Sequence, residues 1–152
     1  MVDFQCKTRY TWEDLVEIVR LLRGPGGCPW DAEQTHSSIR RNFLEETYEA
    51  LDAIDRDDPR DLCEELGDVL MQVALHAQME AERGRFTMED VVDGVAQKLV
   101  YRHPHVFGGG MTAENSQEVL VNWEILKRRE KGQRSTADAV EAVPHTLPAL
   151  WR

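Results

Sequence analysis

Two acidic runs carry most of the chemistry this sequence offers. The first is Glu45-Glu46-Thr47-Tyr48-Glu49 and the second is Glu64-Glu65-Leu66-Gly67-Asp68. On a helix, at about 100° per residue, positions three or four apart share a face, so Glu46 and Glu49 are neighbours, as are Glu65 and Asp68. Four ionised carboxylates gathered in one partly buried place repel: near 4 Å and at an effective dielectric of about 20, each pair costs about 4 kcal/mol. Protons, basic side chains or a divalent cation must offset that cost. An all-oxygen donor set favours Mg²⁺, Mn²⁺ or Ca²⁺ over zinc. Di-iron bundles need a Glu-x-x-His on their helices; neither run has one and His76 stands outside that spacing, which argues against iron. Either pair alone reads better as a solvated helix face, because acidic helices are common. Two pairs on neighbouring helices point further, to a metal site. Glu45 and Glu64 add a third carboxylate to each run, as outer groups or as plain surface.

The elements that must position these acids follow from periodicity and capping. Thr11, with Glu13 and Asp14 after it, opens a first helix whose stripe is Leu15, Ile18, Val19 and Leu22. Gly24-Pro25-Gly26-Gly27 ends it, and residues 28–35 read as a loop. A second helix is predicted over residues 37–54, with Ile39, Phe43, Ala50, Leu51 and Ile54 at helical spacing. Asp57-Asp58-Pro59 turns the chain into a third, over 60–83, with Leu62, Leu66, Val69, Leu70, Val73 and Ala77 on its apolar face and Gly84 as its stop. Glu46 falls beside Ile39 and Ala50. Glu65 and Asp68 flank Leu62 and Val69, and Gln72 and His76 extend their strip. The short turn predicts antiparallel packing, which lets the acid pairs face each other.

A fourth helix is predicted from residue 87 to 102, broken by His103-Pro104-His105 and Gly108-Gly109-Gly110. A fifth spans 116–131 and stops at Gly132. No strand alternation appears. The expectation is an all-α bundle of four to five helices over 1–132, followed by a polar, then proline-spaced tail over 133–152. The apolar Leu150 and Trp151 read as the start of a further segment or as a surface for a partner subunit.

With 152 residues, 41% of them hydrophobic, the chain can build a core. Its longest apolar stretch, residues 69–79, is interrupted by Gln72, His76 and Gln78 and is not a membrane span. No basic-then-apolar leader opens the sequence. Cys6, Cys28 and Cys63 are an odd set without C-x-x-C spacing, the pattern of reduced thiols in a cytoplasmic protein. A net charge of −10 argues against binding to nucleic-acid polymers. An anionic substrate then requires local masking by metal, Lys or Arg. No phosphate-binding G-x-x-x-x-G-K-[ST] loop and no G-x-S-x-G is present.

Together these motifs resemble the MazG family of nucleoside triphosphate pyrophosphohydrolases, of the N-terminal type. The resemblance rests on E-E-x-x-E at Glu45–Glu49 and E-x-x-D at Glu65–Asp68, with Gly27-Cys28-Pro29-Trp30-Asp31 and Arg102-His103-Pro104-His105-Val106-Phe107 flanking them. It implies a dimeric all-α enzyme that uses Mg²⁺, or Mn²⁺, to cut a nucleoside triphosphate into monophosphate and pyrophosphate. It implies Glu46, Glu49, Glu65 and Asp68 as metal ligands, Glu45 or Glu49 as proton acceptor, Lys98 and Arg102 on triphosphate oxygens, Trp123 and Lys127 on nucleotide, and Asn42 on base or ribose. Read by themselves, Lys98 and Arg102 are equally charges complementing a helix C-terminus, and Trp123 a half-buried core residue. Trp30 reads as a lid or as packing. His36, His103 and His105 receive structural roles. Two rival readings remain: a narrow-specificity dUTP, dCTP or phosphoribosyl-ATP pyrophosphohydrolase, and a non-catalytic helical module that binds metal and nucleotide.

Overall fold

The computed structural model describes residues 2–108, 110, 112–133, 135–141, 143, 144 and 146, and among these the chain is helical, with no strand. Leu150, Trp151, Pro148 and Gly109 lie outside the described residues. The chain divides into two compact units between Val92 and Asp93. No described helix is long and apolar enough to cross a membrane.

In the first unit, α1 (Trp12–Arg23) opens on a reciprocal capping box. The Asp14 N–H donates to the Thr11 hydroxyl (3.4 Å) and the Thr11 N–H to the Asp14 carboxylate (2.9 Å). A short α2 (Pro29–Glu33) stands where a loop was expected; Pro29 sits in its first turn, where a missing N–H costs nothing. The next helix, α3 (Arg40–Asp55), begins three residues later than periodicity predicts. The reason is local: the Thr35 N–H donates to the Ser38 hydroxyl (2.9 Å) and the Ser38 N–H to the Thr35 hydroxyl (3.2 Å), a turn that competes with helix. It leaves Ile39 at the N-cap, driven into the core.

Residues 56–58 join α3 to α4 (Pro59–Ala81). Asp57 takes a left-handed conformation (φ 53°), and the Asp58 carboxylate accepts from the Arg60 and Asp61 N–H groups (3.0 and 3.1 Å). So tight a connection lays the two helices along each other, as the acidic runs require.

The core is Val19 of α1, Ile39, and Ala74, Leu75 and Met79 of α4, with Leu15 and Met71 packed against them. Burial on α4 therefore begins at Gln72. Leu66 and Leu70, expected on the buried face, are exposed, as are Leu51 and Ile54 of α3. In the core α1 meets the C-terminal part of α4, while α3 packs along α4 beside it. Arg23 at the end of α1 ties the assembly: its guanidinium donates to both Glu82 carboxylate oxygens (2.8 and 2.9 Å) and to the carbonyls of Asp31 and Gln34.

In the second unit, α5 (Met88–Arg102), whose first residues belong to the first unit, is followed by α6 (Pro104–Phe107), α7 (Ser116–Glu130) and α8 (Thr136–Glu141). The preceding helix ends at Arg102 as expected, before His103-Pro104-His105; Pro104 then starts the single turn of α6, and Gly108 (φ 85°) ends it. Asn115 caps α7 by accepting from the Glu118 N–H (3.0 Å). In α8, a stretch expected to lack periodicity, the Ser135 hydroxyl accepts from the Asp138 N–H (3.1 Å) and the Asp138 carboxylate from the Ser135 N–H (2.8 Å).

The bend after α1 depends on Gly27. A Cβ there would lie 2.2 Å from the Leu21 carbonyl oxygen and 2.4 Å from that of Leu22, which accepts the Cys28 N–H (2.8 Å). Gly67, inside α4, has open space around its Cβ direction. Gly27→Ala is expected to destabilise the fold by about 2 kcal/mol, whereas Gly67→Ala raises stability by roughly 0.5–1 kcal/mol. Urea unfolding of both variants beside the parent checks this pair.

Candidate metal centre

Helical spacing on α3 and α4 brings Glu46, Glu49 and Glu65 together. Each offers one carboxylate oxygen, and those oxygens lie within 4.8 Å of one another. Glu46 and Glu65 are half-buried and Glu49 is exposed. Two ligands across one ion stand no further apart than twice the metal–oxygen distance, about 4.2 Å for Mg²⁺ and up to about 5.2 Å for Ca²⁺. The triad is therefore of a size that could hold a hard divalent cation, with Mg²⁺ requiring its oxygens to stand closer than that bound, and its donors are all oxygen.

The electrostatics agree with the geometry. Desolvation is the largest influence raising the Glu46 carboxyl above its ordinary range, followed by the charges of Asp68 and Glu49, a hydrogen bond with Glu49, and the charge of Glu65. Glu65 is raised by desolvation first, then by Glu49, Asp61, Asp68 and Glu64. Asp68 thus belongs to the same field without being one of the three convergent oxygens. Glu45 is turned elsewhere: the Arg41 Nε donates to its Oε1 at 2.8 Å, and both side chains are exposed. Asn42, one turn before Glu46, is exposed.

The strip beyond Asp68 holds groups whose partners lie far off in sequence. Gln72 is 4% exposed, and its side-chain oxygen is buried with no hydrogen-bond partner among the described residues. His76 stacks on His36 (centroids 5.0 Å apart, planes 3° apart), and the two Nδ1 atoms are 2.7 Å apart, one donating to the other. His36 Nε2 bonds Glu80, which also accepts from Arg83 and Arg85. Arg85 first, then His36, holds the Glu80 carboxyl below its usual range. His36, expected to be structural, is hydrogen-bonded at both ring nitrogens to residues of α4. Its partner His76, forty residues away, carries no local signal in the sequence. Trp30 is 59% exposed, and its carbonyl accepts from the Gln34 amide (2.7 Å).

In the second unit, Arg102 is buried. Its Nε and Nη2 donate to one Glu130 oxygen (2.9 and 2.8 Å), and its guanidinium lies 5.1 Å from the Trp123 ring centroid. His103 meets the same indole edge-on at 5.0 Å and donates through Nδ1 to the Leu99 carbonyl (2.6 Å). Trp123 is thus half-buried, built into an Arg–aromatic stack. Lys127 pairs with Glu124 at 3.4 Å, whereas Lys98 is exposed and makes no ion pair among the described residues.

Such a site defines a class: an all-α protein whose paired helices bring carboxylates together where a metal ion could sit. Through residues 34–107, which match the family model described as "MazG nucleotide pyrophosphohydrolase domain", the chain belongs to the MazG family. It is 50% identical over 139 residues to the nucleoside triphosphate pyrophosphohydrolase of Escherichia coli K12, covering 91% of this chain and 52% of that protein. It is 45% identical to MazG of Thermotoga maritima over the same shares of both chains. It is also 50% identical over 133 residues to YabN of Bacillus subtilis, covering 88% of this chain and 27% of that one. The chain therefore spans about half, or less, of these relatives. A crystal structure of a MazG-related protein from Thermotoga maritima superposes with a TM-score of 0.60 at 26% identity, over 76% of this chain and 98% of that one.

The raised carboxyls make stability depend on pH in a definite sense. A group whose pKa is higher folded than unfolded binds more protons in the folded state, so its contribution is complete below the ordinary glutamate value and is lost as pH rises through the raised one. In EDTA, the unfolding midpoint is expected to fall as pH rises above the ordinary range, and Glu49→Gln to flatten that fall by removing one charge. Excess Mg²⁺ or Mn²⁺ restores the midpoint of the parent more than that of the variant. Thermal unfolding with and without metal checks this; equal slopes for parent and variant would contradict it.

Proposed function

We propose that this chain hydrolyses nucleoside triphosphates to a nucleoside monophosphate and pyrophosphate, with Mg²⁺ as its metal and Mn²⁺ able to replace it. The observation that carries this reading is the convergence of Glu46, Glu49 and Glu65. The names of the Escherichia coli and Thermotoga relatives support the reaction.

Glu46, Glu49 and Glu65, with Asp68 beside them, would hold the cation. Bound there, it supplies positive charge against the triphosphate and lowers the pKa of water. A water oxygen attacks the α-phosphorus, the bond from that phosphorus to the bridging oxygen breaks, and pyrophosphate leaves. Glu49 is the better proton acceptor, since Arg41 already holds Glu45. Lys98, which makes no ion pair among the described residues, is proposed to contact phosphate. Arg102 is committed to Glu130 and Trp123, and Lys127 to Glu124, so contacts from them require those pairs to rearrange. Asn42, exposed one turn before Glu46, is free for base or ribose.

Residues 1–132 form the proposed catalytic domain, with 133–152 as its tail, working in the cytoplasm. A homodimer is also proposed, supported by Leu44, Tyr48 and Leu51 of α3 and Leu66 and Leu70 of α4, which this chain alone leaves in water.

Incubation with a panel of nucleoside triphosphates and Mg²⁺, followed by anion-exchange separation, is expected to yield monophosphate and pyrophosphate. Glu65→Gln should lower kcat on the order of 10²–10³-fold, as loss of one strong electrostatic group does elsewhere, while the unfolding midpoint holds or rises. Diphosphate and orthophosphate as products would refute the reaction.

A further inference from the structure

Gln72 is a buried polar residue that the first unit leaves incomplete. Its side-chain oxygen is sealed from solvent and accepts nothing from the described residues. Leaving such an oxygen unpaired costs about 1–3 kcal/mol, and native interiors pair nearly all such atoms. Of the neighbours on its own strip, His76 has its Nδ1 bonded to His36, and Asp68 can only accept when ionised.

Its position says where a partner would come from. At about 100° per residue, Glu65, Asp68, Gln72 and His76 fall within an arc of about 80° on α4, with Gln72 inside it. Glu65, at one end of this strip, meets Glu46 and Glu49 of α3; His76, at the other, meets Phe43 of α3 with ring centroids 5.5 Å apart. Gln72 lies between them on the α3 side, about 6 Å of helix rise beyond Asp68. If the carboxylates mark the α-phosphate, as proposed above, the next group along a nucleotide is the sugar. Sugar hydroxyls are hydrogen-bond donors, which is what an unpaired carbonyl oxygen lacks.

We propose that Gln72 is a positioning and specificity residue whose amide oxygen, sealed in the free chain, is uncovered as nucleotide enters beside the carboxylates and accepts a hydrogen bond from a hydroxyl of the nucleotide's sugar. The inference rests on the pyrophosphohydrolase reading. The contact fixes the ribose and, through it, the α-phosphorus against the carboxylates.

The test compares kcat and KM for ATP, 2′-deoxy-ATP and 3′-deoxy-ATP in the parent chain and in Gln72→Leu, with Gln72→Met as a second apolar replacement. Unfolding midpoints are measured alongside. In the parent, the analogue lacking the contacted hydroxyl is expected to lose about tenfold in kcat/KM, the equivalent of one hydrogen bond of about 1.4 kcal/mol, and the two analogues tell the 2′ from the 3′ hydroxyl. In both variants that discrimination shrinks toward one while the midpoint holds or rises, because an unpaired polar atom has gone. A variant that slows all three substrates by one common factor, or keeps the parent's discrimination, overturns the role given to Gln72 and leaves the pyrophosphohydrolase reading standing. Discrimination that follows the exocyclic amine of the base, in CTP against UTP, overturns the sugar assignment. A parent chain that hydrolyses none of the three overturns both.

Discussion

Repulsion among carboxylates is the constraint on which this structure turns. Glu46, Glu49 and Glu65 converge within 4.8 Å, with the field of Asp68 added. Nothing cationic is paired with the three among the described residues, although Arg41, Arg56 and Arg85 all hold other acids. A fold that spends stability to assemble like charges does so where a counter-charge arrives with function. The tight turn over residues 56–58, the capped starts of α1 and α4, and the Arg23 tie hold α3 and α4 in the register that keeps those oxygens together.

Much of this was legible in the sequence because it is local. Carboxylates three or four apart must share a helix face, Thr11 and Asp14 must be able to cap, and Asp58-Pro59 must start a helix better than continue one. The convergence of the two acidic runs followed from these local facts plus one short connection. The family resemblance, resting on motifs within residues 27–107, agrees with the family match over 34–107.

What the sequence hid is non-local or decided by competition. The late start of α3 depends on Thr35 and Ser38 winning backbone groups from the helix. The exposure of Leu66 and Leu70 depends on which part of α4 meets α1 in the core, which hydrophobic periodicity does not contain. His36 with His76 and Arg102 with Glu130 are pairs forty and twenty-eight residues apart. Arg102 shows the difference most clearly: spacing makes it a helix-end cation, resemblance makes it a phosphate ligand, and the fold gives it a carboxylate and an indole.

The strip on α4 links these levels. The helical period that sets Glu65 beside Asp68 continues into Gln72 and His76, so one face passes from charged to neutral polar to aromatic as it enters the core. Such a gradient suits a ligand that is ionic at one end and uncharged at the other. The central claim, that the acid cluster is a cation site, is tested most directly by electron paramagnetic resonance of Mn²⁺ titrated into the chain and into a variant with Glu46, Glu49 and Glu65 all changed to Gln. The account predicts saturable loss of the free Mn²⁺ signal in the parent and none in the variant; equal Mn²⁺ uptake by both would contradict it.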